Sequence, residues 1–596
     1  MRSRYLAALA VLGCSIVFYE TLLTRLFSTT LWYHFGFLAI SLALLGISAS
    51  GLQVFLRPAL IADDGFDRRL ARSAAGFAIT SVLAVSFHLS ASFVGIAFGT
   101  VTFFTLLVLH VTILAVPFYF GGLAVSMLLS KFHASISKLY FVDLAGSGLG
   151  AALLVVCLQF YSGPALVFLV GALAAIAAAL FAGRSRALYS GSLATFFATL
   201  FLGNDSWGTL RIRYVKSTKS SQVQDMERPP AFEKWTPVAR TTAFGPGISR
   251  ETKGLAYWIY NDAAAPTPVF GFERGEEGLR QLTQAPPKAF LEVAAGGRVL
   301  IIGAGGGRDI WTALLKGATQ VDAIELSPAT VQFMRGPLAE FSGYIYKHPR
   351  VTARVGEGRS FIEHATSTYR VIELGMVDSW IGNAAGAFLF NENHLYTEEA
   401  FRSYLRKLDP DGVLVVSRYF SYDEALRVTS TMISAMEKEG IRDPANQIFV
   451  VRQAQNPLTG TVFGFRERPG PDVVRAIGAK VEESDGAVIW RPDLDRPPSS
   501  TLPQDRMFHM ILRPDLFGLT RTEVLAGYSR DVTPTTDDRP FFFFTQRSLF
   551  STDATMHPAR RWALPFVSVV VVILTLLSLA TMVFPLLTKV ARSDLS

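Results

Sequence analysis

The sequence contains little cysteine and little charge for its length. Its 596 residues include two cysteines, Cys14 and Cys157, and both lie in apolar segments. They provide neither a disulfide framework nor the spacing of a zinc site, so no metal is expected. Charged residues make up 17% of the chain, and no dense run of lysine or arginine occurs. The net charge of +8 therefore does not predict a nucleic-acid partner.

Apolar residues are abundant instead. Hydrophobic residues account for 50% of the chain, and the mean hydropathy is +0.33. A membrane-spanning helix needs roughly 20 consecutive apolar residues. Windows of that kind predict a multi-pass helical membrane bundle, a soluble part and a final span in the lipid bilayer. They lie at about residues 5–27, 36–57, 73–98, 101–130, 139–160, 164–182 and 562–587, with a weaker window at 187–203.

Loops rich in basic residues alternate with loops that have none. Lysines and arginines follow the second, fourth and sixth windows, whereas residues 99–100 and 161–163 carry none. Since basic loops stay in the cytoplasm, the N-terminus is predicted to be cytoplasmic. If the window at 187–203 spans the membrane, the soluble part lies outside the cytoplasm; if it does not, that part is cytoplasmic. We expect the second arrangement, because this window is short and interrupted by small polar residues.

Ionisable residues within the predicted spans are treated as functional by default. They are Glu20, Arg25, His88, His110 and Asp143. A polar pocket between helices is one interpretation. The alternative is that Glu20 and Arg25 pair or extend toward the membrane surface while the histidines bond to backbone.

A second feature of the spans is a pair of small residues. Gly146 and Gly150 lie four apart in one predicted helix, in the pattern of a helix-packing site. We expect them to serve packing.

The motif around which the soluble part is organised is VLIIGAGGGRDI at residues 299–310. Four apolar residues lead into Gly303, Gly305 and Gly307, and a helical pattern follows. This predicts the strand, tight turn and helix of a nucleotide-binding βαβ unit. A second apolar strand ends in Glu325, where a carboxylate accepts hydrogen bonds from both hydroxyls of a ribose.

Arg308 stands where a dinucleotide-binding turn has its last glycine, which disfavours NAD and FAD. The glycine spacing with an acid at the end of the second strand is similar to the class I S-adenosylmethionine (AdoMet)-dependent transferase fold. Arg308 is also the cation closest in sequence to the turn that can bind the carboxylate of AdoMet. A Rossmann-like domain without a ligand is the alternative.

Three further side chains are candidate site residues. Glu357 follows the third strand and is placed to accept a hydrogen bond from an adenine amino group; the alternative is a solvated turn carboxylate. Asp378 follows the fourth strand, at the edge where open α/β sheets place their chemistry, and is the candidate catalytic residue. Tyr396 comes after the polar residues 391–394, and we expect this stretch to close over a substrate.

Several segments together resemble the polyamine aminopropyltransferase (spermidine synthase) family. They are residues 303–307, Glu325, residues 356–358, residues 369–378 and residues 395–401. The apolar N-terminal windows and residues 536–541 resemble its membrane-embedded branch in bacteria. The resemblance implies that decarboxylated AdoMet donates an aminopropyl group to a diamine held by acidic side chains. It also implies that an aspartate after the fourth strand accepts the amine proton.

The sequence departs from that family at the fourth strand. The family has an Asp, two residues and then Asp-Pro, whereas this chain has Gly375 at the first position and Asp378 followed by Ser379. General-base help is worth roughly 10²–10⁴-fold in rate. Losing one acid predicts slow transfer to a diamine unless Asp378, Glu373 or Tyr396 substitutes.

The predicted organisation is a multi-pass α-helical bundle joined to an α/β Rossmann-like domain that has an N-terminal β subdomain. The boundaries are a bundle at 1–203, a linker and β subdomain at 204–298, the AdoMet-type domain at 299–450, an α/β extension at 451–560 and a C-terminal span at 561–596.

Three functions are compatible with this organisation. The first is an aminopropyl transferase of the bacterial inner membrane that uses AdoMet or decarboxylated AdoMet. The second is an AdoMet-dependent methyltransferase with a membrane-associated acceptor. The third is a non-catalytic transport or sensor protein. The acceptor and the oligomeric state do not follow from the sequence.

Overall fold

The computed structural model describes residues 2–31, 36–91, 96, 100–183, 187–212, 229–248, 255–272, 293–377, 392–420, 423–452, 459–483, 486–494, 503–547 and 558–593. Within these ranges the chain forms a helical bundle, a small antiparallel sheet, a large mixed sheet flanked by helices, and a C-terminal helical segment.

Seven consecutive helices form the bundle. Their apolar side chains bury one another in one continuous core. The helices are α1 (Ser3–Thr30), α2 (Gly36–Leu56), α3 (Phe66–Ser90), α4 (Val101–Lys131), α5 (Ile136–Cys157), α6 (Gly163–Ala182) and α7 (Ala187–Trp207).

Seven helices of the described part are long and apolar enough to cross a membrane. Six of them correspond to α1–α6, and the seventh is Val567–Thr588 near the C-terminus. These positions agree with the strong windows in the sequence. Helix α7 does not reach the same hydropathy, yet it forms 21 helical residues that pack on α6, with the ring of Phe197 against Gly171.

The small residues of α5 allow close contact with α1. A Cβ at Gly146 would lie 2.2 Å from the carbonyl oxygen of Ala10, and one at Gly150 would lie 2.2 Å from that of Cys14. Any larger side chain would push the two helices apart. The predicted packing role of this glycine pair is therefore confirmed.

The β subdomain is a four-stranded antiparallel sheet with its strands in chain order. They are β1 (Phe232–Trp235), β2 (Arg240–Ile248), β3 (Leu255–Asn261) and β4 (Ala264–Phe270). The β3–β4 turn places Asp262 and Ala263 in the left-handed region, with φ of 47° and 56°. This conformation turns the chain within two residues.

The large sheet contains eight strands. Their spatial order is β12-β10-β11-β9-β8-β5-β6-β7. The strands are β5 (Arg298–Ile302), β6 (Gln320–Glu325), β7 (Val351–Val355), β8 (Tyr369–Leu374), β9 (Leu408–Tyr419), β10 (Ile448–Arg452), β11 (Thr459–Phe465) and β12 (Ala487–Trp490). The five from β5 to β9 are parallel, and β11 lies antiparallel between β9 and β10.

Helices cover both faces of this sheet. Leu300 and Ile302 of β5 enter one hydrophobic core, and Val299 and Ile301 enter the other, so the strand is apolar at successive positions. The helices are α8 (Arg308–Leu315), α9 (Pro328–Arg335), α10 (Gly358–His364), α11 (Glu398–Arg406), α12 (Glu424–Lys438) and α13 (Pro471–Glu483). Five parallel strands with the first at the centre and an antiparallel strand beyond the fifth form the class I AdoMet-transferase type of α/β sheet.

The sheet crosses the boundary predicted at residue 450. Strand β10 spans that position, and β11 pairs with β9 along its whole length, from Thr459 opposite Tyr419 to Phe465 opposite Val413. Segments 299–450 and 451–560 therefore share one sheet and its cores.

The last part of the soluble region lies along the carboxyl edge of the sheet. It follows α14 (Pro503–Leu512) and α15 (Arg521–Gly527). The guanidinium of Arg427 donates to the carbonyl oxygens of Phe541, Phe542 and Phe544 and fixes this segment to α12. The chain ends with α16 (Pro558–Ser578), a π-helical turn (Leu579–Val583) and α17 (Phe584–Ser593).

Candidate functional site

The glycine turn joins β5 to α8. Gly303, Gly305 and Gly307 have φ of 80°, 49° and 81°, in the left-handed region that favours glycine. A Cβ at Gly303 would lie 2.6 Å from the side chain of Val377. The turn therefore requires glycine both for its backbone and for its contact with Val377, just beyond the end of β8.

Glu325 lies beside this turn, as the sequence predicts. One carboxylate oxygen accepts the N–H of Gly305 at 2.9 Å, and the other accepts the N–H of Ser327 at 2.8 Å. Glu325 is 7% exposed. Burial raises the pKa of its carboxyl group, although the two backbone donors act in the opposite direction. The carboxylate is thus oriented at the carboxyl edge and retains lone pairs for ribose hydroxyls.

The β subdomain forms a wall over the turn. The hydroxyl of Thr267 accepts the N–H of Gly306 at 2.8 Å, and a Cβ at Gly306 would lie 2.0 Å from the carbonyl oxygen of Pro268. Gly306, which sequence reasoning left without a role, is therefore needed for the approach of β4. Thr267 was missed because its partner is 39 residues away.

Arg308 is the first residue of α8. Its guanidinium carbon lies 5.9 Å from the centre of the Phe270 ring, at the end of β4. The cation therefore stands where the β subdomain meets the glycine turn, close to the position expected for a donor carboxylate.

Glu357 caps α10. Its carboxylate accepts the backbone N–H of Arg359 at 2.9 Å and that of Ser360 at 2.7 Å, and its side chain is exposed. These bonds satisfy backbone N–H groups of the first helical turn, which have no acceptor within the helix itself. The geometry matches the solvated turn carboxylate better than a dedicated adenine contact.

Asp378 lies outside the described residues, and Val377 before it lies just beyond the end of β8. The hydroxyl of Tyr396 donates to the carbonyl oxygen of Val377 at 2.9 Å. Tyr396 is fully buried and stacks on Phe542, with 4.4 Å between ring centres. Tyr396 holds the backbone next to Asp378. This arrangement favours a role for Tyr396 in positioning that backbone over direct contact with a substrate.

Arg418 was missed by sequence reasoning. Its guanidinium is fully buried, lies 4.3 Å from the centre of the Tyr396 ring and donates to the carbonyl oxygen of Val377. Glu424 lies 3.8 Å away and balances the charge. A signal was available: an arginine at the end of an otherwise apolar strand is costly unless it has partners.

Asp309 is a second acid that the sequence did not single out. A Cβ at Gly375 would lie 3.4 Å from Oδ2 of Asp309. The position where the resembling family has its first aspartate is therefore next to a carboxylate that comes from α8.

Asp537 connects the C-terminal segment of the α/β domain to α10. Its carboxylate binds both Nη1 and Nη2 of Arg359, at 2.5 and 2.6 Å, and accepts the hydroxyl of Thr397 at 2.8 Å. The Arg359 guanidinium lowers the pKa of Asp537 to about 2. The Asp537 charge is thus balanced internally, which favours a structural role over attraction of a cationic substrate.

The ionisable residues of the bundle do not form one pocket. Arg25 pairs with Asp262 of the β3–β4 turn, at 2.7 Å, and not with Glu20. Nε2 of His88 lies 2.8 Å from the hydroxyl of Thr30, and Nδ1 of His110 lies 2.8 Å from the carbonyl oxygen of Leu106. The His110 contact agrees with the expected bond to backbone, whereas the partners of His88 and Arg25 were not foreseen.

A cavity of about 1130 Å³ lies between the bundle and the β subdomain. Its lining includes Gln159, Asn204, Trp207, Lys234 and Arg240. The glycine turn lies elsewhere, against β4. Across the described ranges, no three His, Cys, Asp or Glu side chains are grouped to hold a metal ion.

The strand order, the glycine turn and the buried acid define an α/β domain of the transferase type. Residues 290–456 match the spermine/spermidine synthase domain family. This match confirms the prediction of a transferase domain.

A polyamine aminopropyltransferase from Korarchaeum cryptofilum is 31% identical over 120 residues, which cover 20% of this chain and 34% of that protein. The alignment therefore spans about a third of that relative.

Solved structures are similar to part of this chain. Spermidine synthase from Thermotoga maritima is 17% identical, covers 41% of this chain and 77% of its own, and has a TM-score of 0.29. A probable spermidine synthase from Corynebacterium glutamicum is 15% identical, with coverages of 46% and 99% and a TM-score of 0.32. A putative methyltransferase from Streptococcus mutans is 11% identical, with coverages of 47% and 67% and a TM-score of 0.27.

Proposed function

We propose that this protein is a membrane-anchored transferase that binds a sulfonium donor of the AdoMet type and transfers an aminopropyl group to an amine. The observation that carries the proposal is the buried Glu325 carboxylate, oriented by the N–H of Gly305 beside the glycine turn. It lies within the segment that matches the synthase domain family. A carboxylate held in this way accepts the two hydroxyls of a ribose.

The proposed reaction is a displacement at carbon. The lone pair of the amine forms a C–N bond with the methylene next to the sulfonium, the C–S bond breaks, and the sulfur leaves as a neutral thioether. The amine loses one proton, which Asp378 accepts. Tyr396 and Arg418, both bonded to the carbonyl oxygen of Val377, hold the backbone from which Asp378 follows.

Asp309 supplies the second negative charge of the proposed acceptor site. Its carboxylate lies next to Gly375, where the resembling family carries an acid on the strand itself. A cationic amine is attracted by a carboxylate whichever element provides it. The missing acid of the fourth strand is therefore compensated from α8.

Methyl transfer is the second candidate function, and Gly375 favours it. A methyl acceptor without a cationic amine does not need two acids at this position. AdoMet carries a carboxylate that decarboxylated AdoMet lacks, and Arg308 stands where the β subdomain meets the turn.

Purified protein incubated separately with AdoMet and with decarboxylated AdoMet, each with a panel of diamines, distinguishes the two functions by mass spectrometry. Aminopropylated amine formed only with the decarboxylated donor is the expected result. Methylated product from AdoMet alone would replace the first proposal by the second. Absence of turnover with both donors, in protein that binds them, would favour a non-catalytic role.

A further inference from the structure

The bundle has two ends of different character, and the soluble domain is attached to one of them. We define the domain end by its contacts. Arg25 at the end of α1 binds Asp262, and the carbonyl oxygen of Gln159 after α5 accepts a hydrogen bond from Lys234 of β1 at 2.6 Å. The ring of Trp235 lies against Gly163 at the start of α6.

The opposite end, which we call the distal end, is held by other ion pairs. Tyr5 at the start of α1 donates to Asp67 at the start of α3, at 2.5 Å. Lys131 at the end of α4 binds Asp63 at 2.6 Å. The N-terminus and the connections α2–α3 and α4–α5 therefore lie together, on the other side of the bundle from the catalytic domain.

Helix α7 runs between these two ends. It begins after the connection from α6, where Gly183 lies against the guanidinium of Arg4 at the distal end. It finishes at the domain end, where Asp205 accepts the N–H and hydroxyl of Ser162. Twenty-one residues rise roughly 30 Å, the thickness of the hydrocarbon core of a bilayer. The polar interruptions of this window thus do not prevent a full crossing beside α6.

Basic residues are concentrated at the distal end. Eight lysines and arginines lie at the N-terminus or at the helix ends next to the α2–α3 and α4–α5 connections: Arg2, Arg4, Arg57, Arg68, Arg69, Arg72, Lys131 and Lys138. In the sequence, Arg184 and Arg186 stand between α6 and α7, and Lys589 and Arg592 stand in the last helix. The short segments between α1 and α2, between α3 and α4 and between α5 and α6, at residues 31–35, 91–100 and 158–162, contain no lysine or arginine. Arg211, Arg213, Lys216 and Lys219 follow α7 in the sequence, and Arg560 and Arg561 stand at the start of the last apolar segment. Segments above roughly 60 residues, however, cross a membrane largely regardless of charge.

We infer that the bundle crosses the membrane eight times, with both chain termini in the cytoplasm and the catalytic domain on the opposite, non-cytoplasmic side. The eight crossings are α1 to α7 and the C-terminal helical segment, whose last part packs on α2. The expectation of a cytoplasmic domain required that residues 187–203 not cross. Donor and acceptor therefore reach Glu325 from outside the cytoplasm.

Cysteine labelling of the full chain tests this arrangement. In a Cys14→Ser, Cys157→Ser background, Ala476→Cys places a thiol on the exposed face of α13, and Ala59→Cys places one in the exposed α2–α3 connection. Spheroplasts of bacteria that express each variant are treated with a membrane-impermeant maleimide before and after permeabilisation. We expect labelling at position 476 in intact spheroplasts and at position 59 only after permeabilisation.

The reverse pattern would place the domain in the cytoplasm, and equal labelling at both positions would contradict opposite sides; either result overturns the inference. This readout requires no turnover, so it is independent of the proposed reaction.

A second test rests on that reaction: donor added outside sealed right-side-out vesicles should be consumed at least roughly ten-fold faster than in inside-out vesicles. Equal or inverted rates would count against the inference, while labelling as expected without turnover would count against the function alone.

Discussion

Nη2 of Arg25, in the first helix of the bundle, lies 2.7 Å from Oδ2 of Asp262, in the turn between β3 and β4, although 237 residues separate them. Both side chains are buried. Ser28 and Thr29 donate to the same carboxylate at 2.6 and 3.2 Å. The backbone N–H of Arg240 is a fourth donor at 2.7 Å, so one carboxylate joins the bundle to the wall of the site.

Removing this carboxylate should destabilise the protein strongly. Asp262→Ala leaves the buried Arg25 without its counter-ion, and breaking a buried pair costs about 3–5 kcal/mol. Thermal unfolding in detergent measures the effect. Asp63→Ala is the matched control, because Asp63 pairs with Lys131 while its own side chain is 98% exposed, so we expect a much smaller loss of stability there. Similar losses for the two variants would contradict the anchoring role.

Glu325→Ala should weaken binding of an adenosyl sulfonium donor by about 1.5–3 kcal/mol, since charge-assisted bonds to the ribose are lost. Calorimetric titration measures this directly. Glu357→Ala provides the comparison: its carboxylate caps α10, so its main effect should be a loss of about 1 kcal/mol of stability. Wild-type donor affinity in Glu325→Ala would remove Glu325 from the site.

Donor binding should also depend on pH through Glu325. Burial raises the pKa of this carboxyl group, so it takes up a proton at a higher pH than an ordinary glutamate. Affinity should therefore fall on acidification before ordinary glutamates titrate, and Glu325→Gln should remove that pH dependence. A titration series from pH 8 to pH 4 tests this, and an identical pH profile in both proteins would exclude Glu325 as the titrating group.

Asp378→Asn should preserve donor binding and lower the single-turnover rate at least roughly 10²-fold, because the amine proton loses its acceptor. Tyr396→Phe is informative beside it, since it removes the hydroxyl that donates to the carbonyl oxygen of Val377 and accepts from the guanidinium of Arg418. We expect a smaller loss of rate there, with donor affinity again retained. Unchanged turnover in stable Asp378→Asn protein would reject the catalytic assignment.

Asp309→Asn should raise the KM for a cationic diamine by roughly ten-fold or more while donor affinity changes little, as expected from losing a charge-assisted contact. Gly375→Asp in the same protein should restore the lower KM, because the new carboxylate occupies the neighbouring position. Donor affinity and melting temperature serve as controls. If the second substitution gives no recovery in a folded protein, Asp309 does not act as the replacement for the missing strand acid.

The Arg359–Asp537 ion pair should make stability depend on acid pH. The pKa of Asp537 is about 2 in the folded chain and ordinarily 3.8, so the pair stabilises the fold above about pH 4. That contribution is lost as the pH falls from about 4 to about 2. Acid unfolding of Asp537→Asn should lack this part of the transition. Superimposable curves for variant and wild type would show that the pair contributes nothing measurable.

Local sequence patterns determined much of this protein. Long apolar runs predicted the positions of α1–α6. They could do so because the length and hydropathy needed to span a bilayer are properties of a single segment. The spacing of Gly303, Gly305 and Gly307 predicted the turn, since left-handed backbone and close contact both require glycine. Glu325 could be placed beside it because adjacent parallel strands end at the same edge of a sheet.

Only the tertiary structure decided the relationships between distant segments. The partner of Arg25, the approach of Asp309 to Gly375 and the burial of Arg418 against Tyr396 each depend on elements that no local pattern connects. The boundary expected at residue 450 failed for the same reason, because strand pairing joins β9 to β11 across it. Hydropathy acts within one segment, whereas ion pairs and sheet registers are fixed by packing between segments.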